Sequence, residues 1–379
     1  MRRAWRGSLP RLAAASLLLV ALVAGCRTAP ALDPARLLAL EPELGQLLLV
    51  GFQGTELEGN APLEALLCEA RVGGVVLFAR NIVDAEQLAR LTAALQARAR
   101  ACTGRALLVA VDAEGGQVMR LAPRAGFTGT LSAQELGETN DFTLTELEAR
   151  RIARMLRAAG INWDLAPVVD VGYNPANPVI VGAARSFSAN PLLVTAHARA
   201  FVRGMRDEGV LTALKHFPGH GSSYGDSHKG FVDVTATANP DVELVPYRTL
   251  IAERMADSIM TAHVFNRALD DRLPATLSLR TITGLLRGEL GYDGPVVTDD
   301  LRMGAIQEHY GLAPAAAAAL AAGADVLLIA DDRLPDGRSA ALQTLAALRR
   351  RLARGRLDPE RVESALARVA ALKARLHER

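Results

Sequence analysis

The chain has 379 residues, half of them hydrophobic and 22% charged, an ordinary globular composition with enough apolar residues to bury a large core. Its formal charge is +2, and the four arginines between Met1 and Arg11 have no acid beside them; without them the balance is −2. Such a charge gives no electrostatic case for nucleic-acid binding.

After the basic start, Leu12 to Ala24 is a largely apolar stretch, shorter than the ~20 residues a bilayer-spanning helix needs. Residues 1–25 therefore read as an export signal rather than a membrane helix. Val23-Ala24-Gly25-Cys26 resembles a bacterial lipobox, which implies cleavage before Cys26 and lipid on its sulfur; an ordinary secretory signal with an incidental cysteine is the alternative. Arg2-Arg3 hints at twin-arginine export, but the rest of that motif is missing. Residues 26–41 form a lipidated N-terminus and linker on this reading. Arg27 is not the aspartate of inner-membrane retention, so the expected address is the cell envelope, at the periplasmic face of the outer membrane. Cys68 and Cys102 are then the only thiols left. In an oxidising compartment the pair invites a disulfide, whereas in the cytosol they would be buried small residues.

From residue 42 to 379, β-rich apolar runs alternate with helical patterns. Strands are expected at Gln46–Phe52, Gly74–Phe78, Ala106–Val111, Asn162–Val168, Leu211–Lys215, Ile259–Val264, Pro295–Thr298 and Val326–Ala330. Helices are expected between them, for example at Ala85–Arg98, Leu147–Ala158, Pro191–Asp207, Ala313–Ala322 and Ala340–Arg354. Eight strands separated by helices predict an α/β fold, a (β/α)8 TIM-type barrel in a single catalytic domain. A last helix from Pro359 to about Leu376 should pack outside the barrel. In such a barrel the reactive groups sit at the C-terminal ends of strands. Asp112 follows the third strand, Lys215 and His216 end the fifth, His263 lies near the end of the sixth and Asp299 follows the seventh, so all converge on one mouth.

The densest chemistry lies in Lys215-His216-Phe217-Pro218-Gly219-His220-Gly221, continuing through Ser222-Ser223-Tyr224-Gly225 to Asp226-Ser227-His228. It carries three of the chain's seven histidines, and Pro218 with three glycines bars a regular helix. Three readings compete. The histidines could be a metal set, although Pro-Gly spoils the i, i+4 spacing that works on a helix. They could cap backbone groups in a structural loop. Or the loop is catalytic: Asp226 and His228 flank one residue, so both side chains can point the same way, and a carboxylate beside an imidazole stabilises its protonated form and sets its tautomer.

That loop resembles the signature of glycoside hydrolase family 3, in its β-N-acetylhexosaminidase branch. Gly74-Val75-Val76-Leu77-Phe78-Ala79-Arg80-Asn81, Asp112-Ala113-Glu114-Gly115-Gly116, Ala166-Pro167-Val168-Val169-Asp170, Arg185-Ser186-Phe187 and Val297-Thr298-Asp299-Asp300-Leu301 resemble the branch's landmarks in the same order. The resemblance implies a retaining glycosidase with Asp299 as nucleophile and an Asp226–His228 dyad as acid/base, since no second carboxylate stands in the usual relation to Asp299. Asp300, leaving the strand toward the opposite side, reads as a cap of the following helix. The resemblance also implies that Asp112, Arg120, Arg185, Lys215 and His216 contact the sugar. Gln117 and Met119, where the branch often has Arg and Gln, and Ala184 before Arg185 depart from its pattern. The implied substrate is terminal N-acetylglucosamine on peptidoglycan-derived or chitin-like oligosaccharides, with no metal, no organic cofactor and no nucleic-acid partner, and with a membrane contact through Cys26. A phosphorylase on the same scaffold and a non-catalytic wall-binding lipoprotein are the rivals.

Overall fold

The computed structural model describes residues 34–376, together with Met1 and Ala4. The expected signal segment and Cys26 lie outside the described residues. Eight parallel strands form the core: β1 (Leu48–Gly51), β2 (Gly74–Leu77), β3 (Leu108–Val111), β4 (Trp163–Asp164), β5 (Leu211–Phe217), β6 (Ser258–Thr261), β7 (Val296–Thr298) and β8 (Leu327–Ile329). From β1 to β7 each pairs with its sequence neighbour, and β1 also pairs with β8. A bridge between Val297 and Val326 closes the ring, held by Thr298 N–H to Val326 O at 2.9 Å and Val326 N–H to Val296 O at 3.0 Å. The fold is the expected TIM-type barrel. β2 and β3 are buried along their whole length, as strands covered on both faces must be, which is why they read as unbroken apolar runs rather than alternating ones.

Helices α1 (Ala61–Cys68), α2 (Ala85–Thr103), α3 (Phe142–Ala158), α4 (Pro191–Asp207), α5 (Val245–Ala252), α6 (Arg280–Glu289), α7 (Leu312–Ala322) and α8 (Ala340–Ala353) follow the strands in turn. Side-chain oxygens start several of them: Asp84 accepts from Gln87 N–H and Asp141 from the amides of Thr143 and Leu144, each satisfying amides that have no partner within the helix. Helix α6 is wound wider than an α-helix. Cys68 ends α1 and Cys102 lies in the last turn of α2; their sulfurs are bonded, with Cα atoms 5.0 Å apart.

Two of the expected strands need correction. The first strand is shorter, because Glu41–Leu47 is a 3₁₀ turn leading into it. The fourth shrinks to two residues, since Pro167 lacks the amide that a ladder needs; Val168 keeps only an isolated bridge to Lys215. The last helix, α9 (Pro359–Ala374), lies outside the strand ring but runs across its end. Arg361 and Arg368 reach Asp325 before β8, Lys373 reaches Gln46 before β1, and Arg375, just past the helix, reaches Asp257 before β6. It therefore covers the end of the barrel where the strands begin, opposite the mouth.

Candidate active site

Asp112, Arg120, Arg185, Lys215, His216, His228 and Asp299 all line one cavity of about 260 Å³ at the C-terminal ends of the strands. Asp226 does not line it and stands behind His228.

The register of β5 explains how two consecutive residues enter the site. Leu214 pairs with Ile259, but Phe217 pairs with Thr261, so β5 spends three residues where β6 spends two. A bulge of this kind breaks the alternation of side chains, and Lys215 and His216 both reach the cavity.

Lys215 is 2% exposed, and its ammonium lies 2.8 Å from Asp112 and 2.6 Å from Glu114. Glu114 also receives both arms of Arg185, at 2.7 Å each, while Arg120 approaches the other oxygen of Asp112 at 3.4 Å. Charges thus alternate across the wall. Burial works against the charge on Glu114, Asp112 and Lys215, but the neighbours outweigh it: Arg185 and Lys215 hold Glu114 down at about 2, Lys215 and Arg120 hold Asp112 low, and Asp112 with Glu114 holds Lys215 above its ordinary value. All three stay ionised near neutrality.

His216 Nδ1 lies 2.7 Å from Asp170, whose carboxylate also accepts the His216 and His220 amides. Arg185 Nη2 faces His216 Nε2 at 3.4 Å. Because a guanidinium only donates, Nε2 is the accepting nitrogen of that contact. His220 is turned away, between Ser223 Oγ at 2.8 Å and Ser227 Oγ at 3.0 Å, and burial lowers its pKa to about 4. It braces the loop. The three loop histidines therefore have three different sets of partners and do not converge on a point.

Asp299 accepts the Asp300 amide at 2.8 Å. Burial alone would raise its pKa, but His263, His216 and His228 outweigh that and hold it low, leaving a half-buried, ionised carboxylate. Asp300 accepts the amides of Ala330 at 2.9 Å and Arg302 at 3.1 Å. It fastens the end of β7 to the end of β8, and burial raises its pKa to about 6. His263 packs beside the pair, with Nε2 2.9 Å from the Asp300 carbonyl and Nδ1 2.8 Å from Thr276 Oγ1; burial lowers its pKa.

His228, with 59% of its side chain exposed, places Nδ1 2.8 Å from Asp226 Oδ1. The same oxygen accepts the His228 amide at 2.9 Å, and these contacts offset burial to hold Asp226 low. Nδ1 is thus engaged by Asp226, while His228 itself lines the cavity. Carbonyls of Ser227 and His228 accept the amides of Ala305 and Gly304 at 3.2 and 3.3 Å, so the loop end leans on the segment after β7.

Sequence reasoning assigned no role to Glu114 or Asp170, although both stand in the motifs quoted above. Each is an acid beside an apolar run near the end of a strand, the same signal that picked out Asp112. Spacing alone does not reveal that each is the partner of a cation or imidazole from another strand.

Residues 39–372 match the glycosyl hydrolase family 3 N-terminal domain. The chain is 38% identical over 336 residues to beta-hexosaminidase A of Pseudoalteromonas piscicida, covering 83% of this chain and 55% of that protein. Against beta-hexosaminidase LpqI of Mycobacterium tuberculosis the identity is 38% over 354 residues, covering 91% of this chain and 85% of the relative. A family 3 beta-N-acetylglucosaminidase structure from a Paenibacillus species superposes with a TM-score of 0.83 at 41% identity, over 89% of this chain and 62% of the other. The chain thus spans little more than half of the first relative and most of the second.

Proposed function

Because the chain belongs to glycosyl hydrolase family 3, alongside proteins named β-hexosaminidases, we propose that it is a retaining β-N-acetylhexosaminidase releasing terminal N-acetylglucosamine from peptidoglycan-derived or chitin-like oligosaccharides. The observation that carries this reading is the pairing, on one cavity, of a half-buried ionised carboxylate, Asp299, with an imidazole backed by a carboxylate, His228 on Asp226.

Asp299 attacks the anomeric carbon as the bond to the leaving oxygen breaks, and His228 Nε2 delivers a proton to that oxygen. Water then attacks the glycosyl–Asp299 ester, giving its proton to His228 and restoring both groups. Two inversions leave the β-configuration. Asp112 accepts hydrogen bonds from sugar hydroxyls, while Arg120, Arg185 and Lys215 donate charge-assisted bonds to hydroxyl and acetamido oxygens, and His216 contacts the sugar from the same wall. Cys26 anchors the protein to the membrane by lipid, and the bonded Cys68–Cys102 pair suits an oxidising envelope compartment.

Incubation with a 5-fluoro N-acetylglucosaminyl donor, followed by peptide mass mapping, is expected to find the sugar on Asp299; label on another carboxylate would overturn the assignment. A phosphorylase is the second reading, favoured by the use of an imidazole where a carboxylate would repel phosphate. Phosphate-dependent formation of a sugar 1-phosphate would select it.

A further inference from the structure

The C-terminal end of α8 concentrates positive charge: Arg349, Arg350, Arg351, Arg354 and Arg356 fall within eight residues that contain no acid. Arg350, Arg354 and Arg356 are exposed. Arg350 and Arg351 lie in the last turn, where cations complement the helix dipole, but Arg354 and Arg356 lie beyond the helix end, where that account is weaker. Among the described residues, Arg349 is paired with Glu41 at 3.7 Å, and no ion pair engages the other four. The nearest acids of the following helix are Asp358, Glu360 and Glu363; Asp358 caps the Glu360 amide and Glu363 is held by Arg36 at 2.6 Å.

The position of this patch in the fold gives it meaning. Glu41 belongs to the turn that leads into β1, so the patch lies at the end of the barrel where strands begin, away from the mouth. The chain enters on the same side: the helix Pro34–Leu40 is tied to α9 by Arg36 and Glu363. Residues 27–33 separate that helix from Cys26, a stretch that spans at most about 25 Å when extended. A lipid on Cys26 would hold this end of the barrel close to a membrane.

We propose that the arginine cluster at the end of α8 docks on a surface of anionic lipid headgroups, turning the catalytic mouth away from the membrane. The orientation rests on the Cys26 anchor proposed above, while the headgroup contact rests on the patch. Each basic residue near an anionic surface adds attraction that falls off within a Debye length, and a polybasic patch supplies a second membrane signal beside a lipid chain.

The test uses the mature lipoprotein on phosphatidylcholine vesicles with and without phosphatidylglycerol, read by flotation and by amide hydrogen exchange over residues 352–357. Phosphatidylglycerol should slow exchange there on the order of tenfold. Salt at 1 M, where the Debye length is about 3 Å, should abolish the effect, as should Arg350→Glu/Arg354→Glu/Arg356→Glu. Hydrolysis of a soluble substrate should be unchanged by that triple substitution. Flotation with both vesicles but equal exchange on them would overturn the patch and keep the anchor. Salt-sensitive flotation with phosphatidylglycerol vesicles alone would support the patch and remove the anchor, and flotation with neither would overturn both. Protection by dissolved heparin without protection by vesicles would assign the arginines to a soluble polyanion and also overturn the inference.

Discussion

Glu114→Gln isolates what the buried charge wall contributes. In the native protein the carboxylate accepts both arms of Arg185 and the ammonium of Lys215. Glutamine keeps the shape but loses the charge and turns an NH2 group toward a donor. Partner charges hold Glu114 at about 2, down from an ordinary 4.5. At ~1.4 kcal/mol per pKa unit, this amounts to roughly 3 kcal/mol of stability at pH 7. Because the folded value is depressed, that contribution is fully present above the unfolded pKa and is lost as pH falls through about 2. Breaking one partner of a buried ion network costs a comparable ~3–5 kcal/mol. Urea unfolding at pH 7 should therefore show Glu114→Gln less stable by about 3 kcal/mol, with the gap roughly halved at pH 3. KM for the glycoside should rise, since Arg185 loses the group that aims it. A deficit under about 1 kcal/mol that stays constant from pH 7 to pH 3 would refute the network's role.

Asp299→Ala should abolish turnover of every glycoside, whereas His228→Ala should lose roughly 10²–10⁴-fold on natural disaccharides but much less in the glycosylation step of a nitrophenyl glycoside. Azide should then rescue deglycosylation as the β-glycosyl azide; equal losses on both substrates in single-turnover measurements would remove His228 as the acid. Asp226→Ala should reproduce a weakened His228 in the same assays. Asp300→Asn should cost less activity than Asp299→Ala. With Asp300 raised to about 6 from an ordinary 3.8, the native protein loses stability as pH rises between those values, so the variant should gain about 1–3 kcal/mol above pH 6, read by unfolding across pH. Removing the Cys68–Cys102 bond with paired serines should cost ~3–4 kcal/mol in the chain-entropy model, and thiol labelling of the unfolded, unreduced protein should find neither cysteine free.

The sequence by itself determined the barrel and its order. Runs such as Gly74–Leu77 and Val296–Thr298, buried on both faces, must be continuously apolar, and the helical patterns between them force parallel crossovers. It also marked residues of the mouth, because a polar residue ending an apolar strand, such as Asp112 or Asp299, has few structural uses, and both line the cavity. Asp226 and His228 were legible as a pair because they are two residues apart and touch locally. The tertiary structure alone decided the pairings between strands: Glu114 with Arg185 and Lys215, and Asp170 with His216, join residues 46 or more positions apart in different loops and strands. It decided the bulge that admits both Lys215 and His216, the turning away of His220, and the path of α9 under the barrel. Periodicity reports which face of an element is buried; which charge meets which depends on how the ring closes and how far each strand is sheared, and no local pattern encodes that.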